Sequence, residues 1–441
     1  MSGRLRILHL GLGAFHRAHQ AVFMQRLIDA GDTSWQLVGG NLLAEDPDVA
    51  RLLQAQGGAY TVETVTPDEV RSYDRIEAIS AAMPFEAGWA ALIRLGADPA
   101  TRIVSFTVTE AGYEPDSIHG AIYAALTAIL RQRQRSDAGP LTLLSCDNLR
   151  HNGDRVRAGL TTSLQRSDDG ELLAWTLANT RCPNSMVDRI TPRPPPELRA
   201  RVLAATGFDD AAPVMAEHFL QWVIEDDFCG GRPSWERVGV QMVDSVAPFE
   251  EAKIRLLNAS HSAIAWAGSL VGHHFIHEGA RDEAVRLIAS DYAGNDAIPC
   301  LQPSPIDLES YRDAVLDRFC NAALQDTNER VAMDGSVKLA GFVAPTVRER
   351  LARNESIASV VMLPALFMAY LKCWHEGRLP HVRRDQGMDD PAAHALCAGP
   401  DPMAALAADP SLWGQAAGDP RLLTALRDAA RRVDRFLDSR G

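Results

Sequence analysis

Glu250, Lys253, Asn258 and His261 stand in a stretch whose continuation through Ile264, Trp266, Leu270 and Val271 is apolar on every side. Read as one helix beginning after Pro248, at about 100° per residue, the stretch carries all four on one side. A helix that is apolar all round is a buried one. Burial brings a lysine down toward the pKa of a useful general base unless an anion pairs with it. A neighbouring asparagine amide donates to a developing oxyanion, and a histidine ring orients a hydroxyl. The plain alternative is an exposed amphipathic face with Glu250 and Lys253 as an i, i+3 ion pair. The apolar surroundings favour the buried base.

Such a base needs a reaction partner, and the start of the chain offers one. A short β-type run at 6–10 leads at once into Gly11-Leu12-Gly13-Ala14-Phe15-His16, and Val22, Phe23, Leu27 and Ile28 then recur at helical spacing. Strand, glycine turn and helix together present backbone N–H groups to a pyrophosphate. Gly11, Gly13, Ala14, Phe15 and His16 are therefore the expected dinucleotide contacts, although His16 stands where a third glycine is usual. A second run, Trp35–Gly40, ends at Asn41, the place from which ribose hydroxyls are bound, with Glu45 and Asp46 close behind. That favours NAD over NADP.

Further β-type runs at 60–65, 103–108 and 141–144, and a helical segment at 118–130, extend an α/β pattern. The run at 141–144 delivers Asn148 to the sheet edge where ligands gather, followed by a loop at Asn152-Gly153. Asp188-Arg189 lies among apolar residues and reads equally well as a structural salt bridge. Runs at 219–224 and 238–246 complete the first domain, and helical spacing dominates beyond. The expected division is 1–246, a Rossmann-type domain, and 247–441, a mostly helical one. Within the second, 325–338 is polar with a glycine turn, as a solvated loop would be. His273 and His277 have zinc-ligand spacing but lack cysteine or carboxylate company.

Composition narrows the partners. The 441 residues carry a net charge of −13 and no Lys/Arg run, which argues against nucleic acid or an anionic membrane. The apolar segment after Arg6 is too short for a signal peptide's core, and no stretch approaches membrane-spanning length. Seven scattered cysteines without a CxxC pair suggest reduced core thiols, so a cytoplasmic location is expected.

Four segments together resemble the polyol-specific long-chain dehydrogenases, the mannitol dehydrogenase family. They are the G-x-G-x-F-H-R-x-H-Q opening, Cys146-Asp147-Asn148, Asn184-Ser185-Met186-Val187-Asp188-Arg189-Ile190-Thr191-Pro192, and K-x-x-x-x-N-x-x-H-S from Lys253 to Ser262. They recur in that order over nearly the whole chain. Cys182 departs from the family signature, which more often has Phe or Ser there, and the stretch after Tyr113 is shorter than in the members it most resembles. The resemblance implies that Lys253 is the catalytic base and that Asn148 and Asn258 stabilise the oxyanion. It further implies that His261 orients substrate and Glu250 passes the released proton to water. Asp188 would stand beside the active site, with Arg330 and Lys338 on substrate hydroxyls. It implies a metal-free, monomeric, NAD-dependent enzyme interconverting a polyol and a ketose. The rival readings are a relative acting on mannitol and fructose or on a hexuronate, and a non-catalytic dinucleotide sensor; a complete base-and-amide set speaks against the sensor.

Overall fold

The computed structural model describes residues 3–44, 48–108, 110–113, 121–379 and 382–440. The chain forms two compact units, Met1–Thr66 with Val70–Ala247 and Pro67–Glu69 with Pro248–Gly441. Among the described residues no helix is long and apolar enough to cross a membrane.

The first unit is built on six parallel strands: β1 (Leu5–Leu10), β2 (Trp35–Gly40), β3 (Ile79–Met83), β4 (Thr101–Phe106), β5 (Leu141–Ser145) and β6 (Thr180–Arg181). Their order across the sheet, β3-β2-β1-β4-β5-β6, is that of a dinucleotide-binding Rossmann sheet. Parallel strands are covered on both faces and so read as continuous apolar runs rather than alternating ones. Ile7, Leu37, Ile103 and Leu144 pack into the core on one face; Leu8, Leu10, Val38, Val104 and Leu143 pack into the core on the other. Two small sheets flank this one: Tyr60–Val65 with Arg71–Ile76 and Val214–Glu217, and Ser185–Asp188 with Gln221–Glu225 and Gln241–Val243.

Some sequence expectations shift. The run expected at 238–246 is a strand only over Gln241–Val243, after a 3₁₀ turn at Trp235–Val238. The helix expected from 118 runs over Ala121–Arg135, and 118–120 lie outside the described residues. Asn152-Gly153 is no loop but the first turn of the helix Asn152–Arg166. A Cβ on Gly153 would meet the Cys182 and Pro183 carbonyl oxygens at 2.3 and 2.5 Å. The dipeptide is there for close approach of that helix, not for a turn.

The second unit is assembled from helices around Ala259–Leu270, whose Trp266 and Ile264 are fully buried. Glu283–Tyr292, Asn328–Ala332 and Met362–His375 pack against it. The expected single helix from Pro248 onward is interrupted. An α-helical turn, Ala247–Ala252, gives way to a π-turn at Lys253–Asn258 before α-geometry resumes at Ala259. Because i→i+5 bonding winds more slowly than i→i+4, the angular placement expected from an unbroken helix does not hold. Two further π-turns, Ala293–Ala297 and Leu339–Val343, pack on the first. Arg255, inside the first turn, donates to Glu251 Oε2 at 2.8 Å and grips Glu349 with both terminal nitrogens. Its buried guanidinium thus ties the turn to the helix Ala344–Ala352. The segment 325–338 is not a solvated loop either: it forms the short helices Asn328–Ala332 and Gly335–Lys338 and buries Asp326, Asn328 and Ser336.

Candidate active site

At the carboxyl edge of the first unit's sheet the chain leaves β1 through Gly11, whose φ of 109° is left-handed. A Cβ there would lie 2.3 Å from the Thr107 carbonyl oxygen. The turn is tied down from several sides. Gly11 N donates to Gly40 O at 2.8 Å, Leu12 N to Asn41 Oδ1 at 2.9 Å, and Arg17 Nε to Leu12 O at 3.1 Å. Gly13 is exposed, and Ala14 and Phe15 are half-buried. Gly11→Ala should cost about 1–3 kcal/mol of stability, since the methyl group adds strain to a backbone collision. A urea titration reads this as a lowered midpoint; an unmoved midpoint would contradict the account.

Two of the expected dinucleotide contacts also make structural contacts. The His16 ring is fully buried, stacked 3.4 Å from the His9 ring, and burial lowers its pKa to about 3, so it is a neutral packing element. Only its backbone remains for a ligand. Asn41 is buried, and its side-chain oxygen serves the glycine turn through Leu12. The residue expected to bind ribose hydroxyls thus also braces the glycine turn. Glu45, Asp46 and the shortened stretch after Tyr113 lie outside the described residues.

Asn148 is exposed just beyond β5, on the same edge as Gly11, Asn41 and Thr107. Its neighbour Asp147 is pinned. Asp147 accepts from Val108 N at 3.0 Å and from the Tyr113 hydroxyl at 2.7 Å, and its carbonyl accepts from Asn152 Nδ2 at 3.0 Å. Asn152 also exchanges hydrogen bonds with the Ser185 backbone, at 2.8 and 2.9 Å. One buried amide thereby joins the segment carrying Asn148 to the strand Ser185–Asp188, whose last residue is the buried Asp188. Arg189 donates to the carbonyls of Ala18 and Glu217 and to the Thr64 hydroxyl. It is a cross-brace of the first unit.

In the second unit Glu250 and Lys253 are 5 % and 6 % exposed, and the lysine opens the π-turn that Asn258 closes. His261 follows in Ala259–Leu270, its ring stacked on Phe319 at 4.5 Å and its Nε2 3.3 Å from Asp326 Oδ2. Burial lowers the His261 pKa against the opposing pull of Asp326, so the ring is neutral at neutral pH. Asp326 also receives Arg330 Nε and Nη2 at 2.7 and 2.6 Å. Lys338 donates to the Val331 carbonyl at 2.6 Å, and burial brings its pKa down to about 8. His261, Asp326, Arg330 and Lys338 therefore form one polar cluster. Among the described residues no group of three or more His, Cys, Asp or Glu side chains could hold a metal ion, and His273 is paired with Asp282 at 3.2 Å.

Asp326, Arg255 and Asn152 carry structural weight that residue-type reasoning missed. The i, i+4 spacing of Asp326 and Arg330 was a readable signal for the first. Nothing local announces the pairing of Arg255 with Glu349, 94 positions away.

A Rossmann sheet followed by a helical unit is the layout of a class of nucleotide-dependent oxidoreductases. Residues 5–237 match the mannitol dehydrogenase Rossmann domain and residues 245–433 the mannitol dehydrogenase C-terminal domain. The chain belongs to the mannitol dehydrogenase family. It is 50% identical to a D-arabinitol 4-dehydrogenase of Ralstonia nicotianae, over 98% of this chain and 97% of that one. Its identity to the D-arabinitol 4-dehydrogenase of Klebsiella pneumoniae is 46%, over 97% and 98% respectively. Among solved structures it is similar to the Pseudomonas fluorescens mannitol 2-dehydrogenase in ternary complex with NAD and D-mannitol. That match has a TM-score of 0.83 at 33% identity and covers 100% of this chain and 94% of that one.

Proposed function

We infer that this oxidoreductase is an NAD-dependent polyol dehydrogenase that oxidises D-arabinitol to D-xylulose, with Lys253 as general base and without a metal ion. The observation that carries the mechanism is the near-complete burial of Lys253 at the head of a π-turn that ends in Asn258. Full-length identity of 46–50% to two D-arabinitol 4-dehydrogenases supports the substrate.

The glycine turn fits a dinucleotide. Gly13 is exposed and has nothing within 4 Å of a notional Cβ, so a pyrophosphate has room to approach the backbone of Gly13, Ala14 and Phe15. Bound NAD supplies the hydride acceptor. The chain's own residues handle the proton and the charge. Neutral Lys253 takes the hydroxyl proton from the carbon being oxidised, and in the reverse direction its ammonium returns it. Asn258 and Asn148 donate amide hydrogens to the transient alkoxide, a contact that commonly supplies about 3 kcal/mol per donor. Glu250, three residues before the lysine, relays the released proton to water. His261, Arg330 and Lys338 hold the remaining hydroxyls, and Asp188 of the first unit keeps its role as a proposed substrate residue.

The test is NADH formation by purified protein with D-arabinitol, D-mannitol, D-sorbitol and xylitol, with D-fructuronate assayed in reduction. D-arabinitol should give the highest kcat/KM, and a chelator should leave turnover intact. A preference for mannitol would keep the lysine mechanism and replace the substrate. Silence with every substrate would remove the polyol reading altogether.

A further inference from the structure

Asp326 is a nearly buried carboxylate to which the mechanism above gives no task. One oxygen takes Arg330 Nε at 2.7 Å and the other takes Nη2 at 2.6 Å, while Oδ2 also stands 3.3 Å from His261 Nε2. A single group thus grips the guanidinium and stands beside the ring that the polyol reading assigns to substrate hydroxyls. The carboxylate and the ring are each fixed from behind: the Asp326 carbonyl accepts from Ile276 N at 2.8 Å, and Phe319 stacks on the ring.

Two consequences follow from the chemistry of the groups. A neutral histidine whose Nε2 faces a carboxylate keeps its proton there, leaving Nδ1 as an acceptor for a hydroxyl. Arginine stays cationic at any physiological pH, so its charge is removed only by a partner. The fork of Nε and Nη2 that would clamp a ligand carboxylate is already filled by Asp326; Nη1 takes no part in that pair and can serve a neutral hydroxyl.

We propose that Asp326 is the specificity-determining residue of this cluster: it positions His261 and Arg330 for hydroxyls and, by cancelling the guanidinium charge, admits uncharged polyols and excludes analogues bearing a carboxylate. The proposal rests on the polyol reading. A ligand carboxylate entering here meets a like charge and a filled fork, and discrimination by repulsion is as effective as discrimination by attraction.

The experiment is Asp326→Asn, assayed with the wild type's preferred polyol in oxidation and with D-fructuronate, a keto-hexuronate, in reduction. Neutralising the buried member of this charge pair should raise the polyol KM about tenfold or more. The KM for NAD should not move, and the ratio of uronate to polyol kcat/KM should rise at least about tenfold as the fork opens to the ligand. In an Arg330→Ala background the same change should bring no gain on the uronate. A polyol-active wild type whose variant loses both activities in equal proportion overturns the proposal and leaves the polyol reading standing, since a merely structural aspartate would do that. A wild type inert to every polyol overturns both. Should Asp326→Asn lose its cooperative melt, Asp326→Glu replaces it. That variant keeps the charge while displacing it, so it should still exclude the uronate while its polyol KM rises, and admission of the uronate would refute the proposal.

Discussion

Replacing Lys253 by alanine is expected to lower kcat by about 10²- to 10⁴-fold, the usual worth of a positioned proton acceptor. The KM for NAD should stay where it is, because the dinucleotide turn belongs to the first unit and Lys253 opens a π-turn in the second. Lys253→Arg should not rescue turnover: a guanidinium keeps its proton at any working pH and cannot act as a base. Steady-state kinetics over pH 7 to 10 on the three proteins decides the matter. Turnover of the alanine variant within a few-fold of wild type would remove the lysine from its proposed role.

Lys338 yields an expectation of a different kind. Burial, which outweighs the opposing Asp334 carboxylate, brings its folded-state pKa from 10.5 down to about 8. Between these two values the unfolded chain holds a proton that the folded chain has shed, so stability rises with pH across that window. Below about pH 8 both states are protonated and the folded protein carries the whole cost of burying the ammonium. Lys338→Met should therefore stabilise the protein at pH 7 by on the order of 1–3 kcal/mol, less the hydrogen bond it gives up to the Val331 carbonyl. It should also abolish the rise between pH 8 and 10, and its polyol KM should increase at least about tenfold for want of a charged donor. Urea midpoints at pH 7 and pH 10 for the two proteins check this. Parallel shifts with pH would mean that the lysine is not strained by burial.

The first unit was legible because its physics is local and repetitive. Strands covered on both faces are written as unbroken apolar runs, and a glycine that must adopt a left-handed turn is visible as a glycine. Arg71–Ile76 escaped because it alternates polar residues on an edge and has no such run. Asn152-Gly153 looked like a turn, since that dipeptide usually is one, but the glycine answers to the Cys182 and Pro183 carbonyls about thirty positions later. Among the candidate site residues, identities were easier to read than duties. His16 and Asn41 sit where a dinucleotide fold would use them, yet one packs on His9 and the other braces Leu12. The π-turn was illegible in principle. The residues from Lys253 to Asn258 would make an acceptable α-helix, and the partner that Arg255 meets inside the turn, Glu349, lies 94 positions away.

A π-turn is, in bookkeeping terms, one residue more than a regular helix requires. Deleting Leu256 or Leu257 would give the second unit a more uniform helix and lose no functional side chain. It would also swing Glu250 and Lys253 by about 100° relative to Asn258 and His261. Chain length at this point is therefore as much a part of the proposed chemistry as the lysine itself. A designer who copied the four residues onto a straight scaffold would obtain the correct inventory in the wrong arrangement. A sequence alignment that closed the gap would hide the difference.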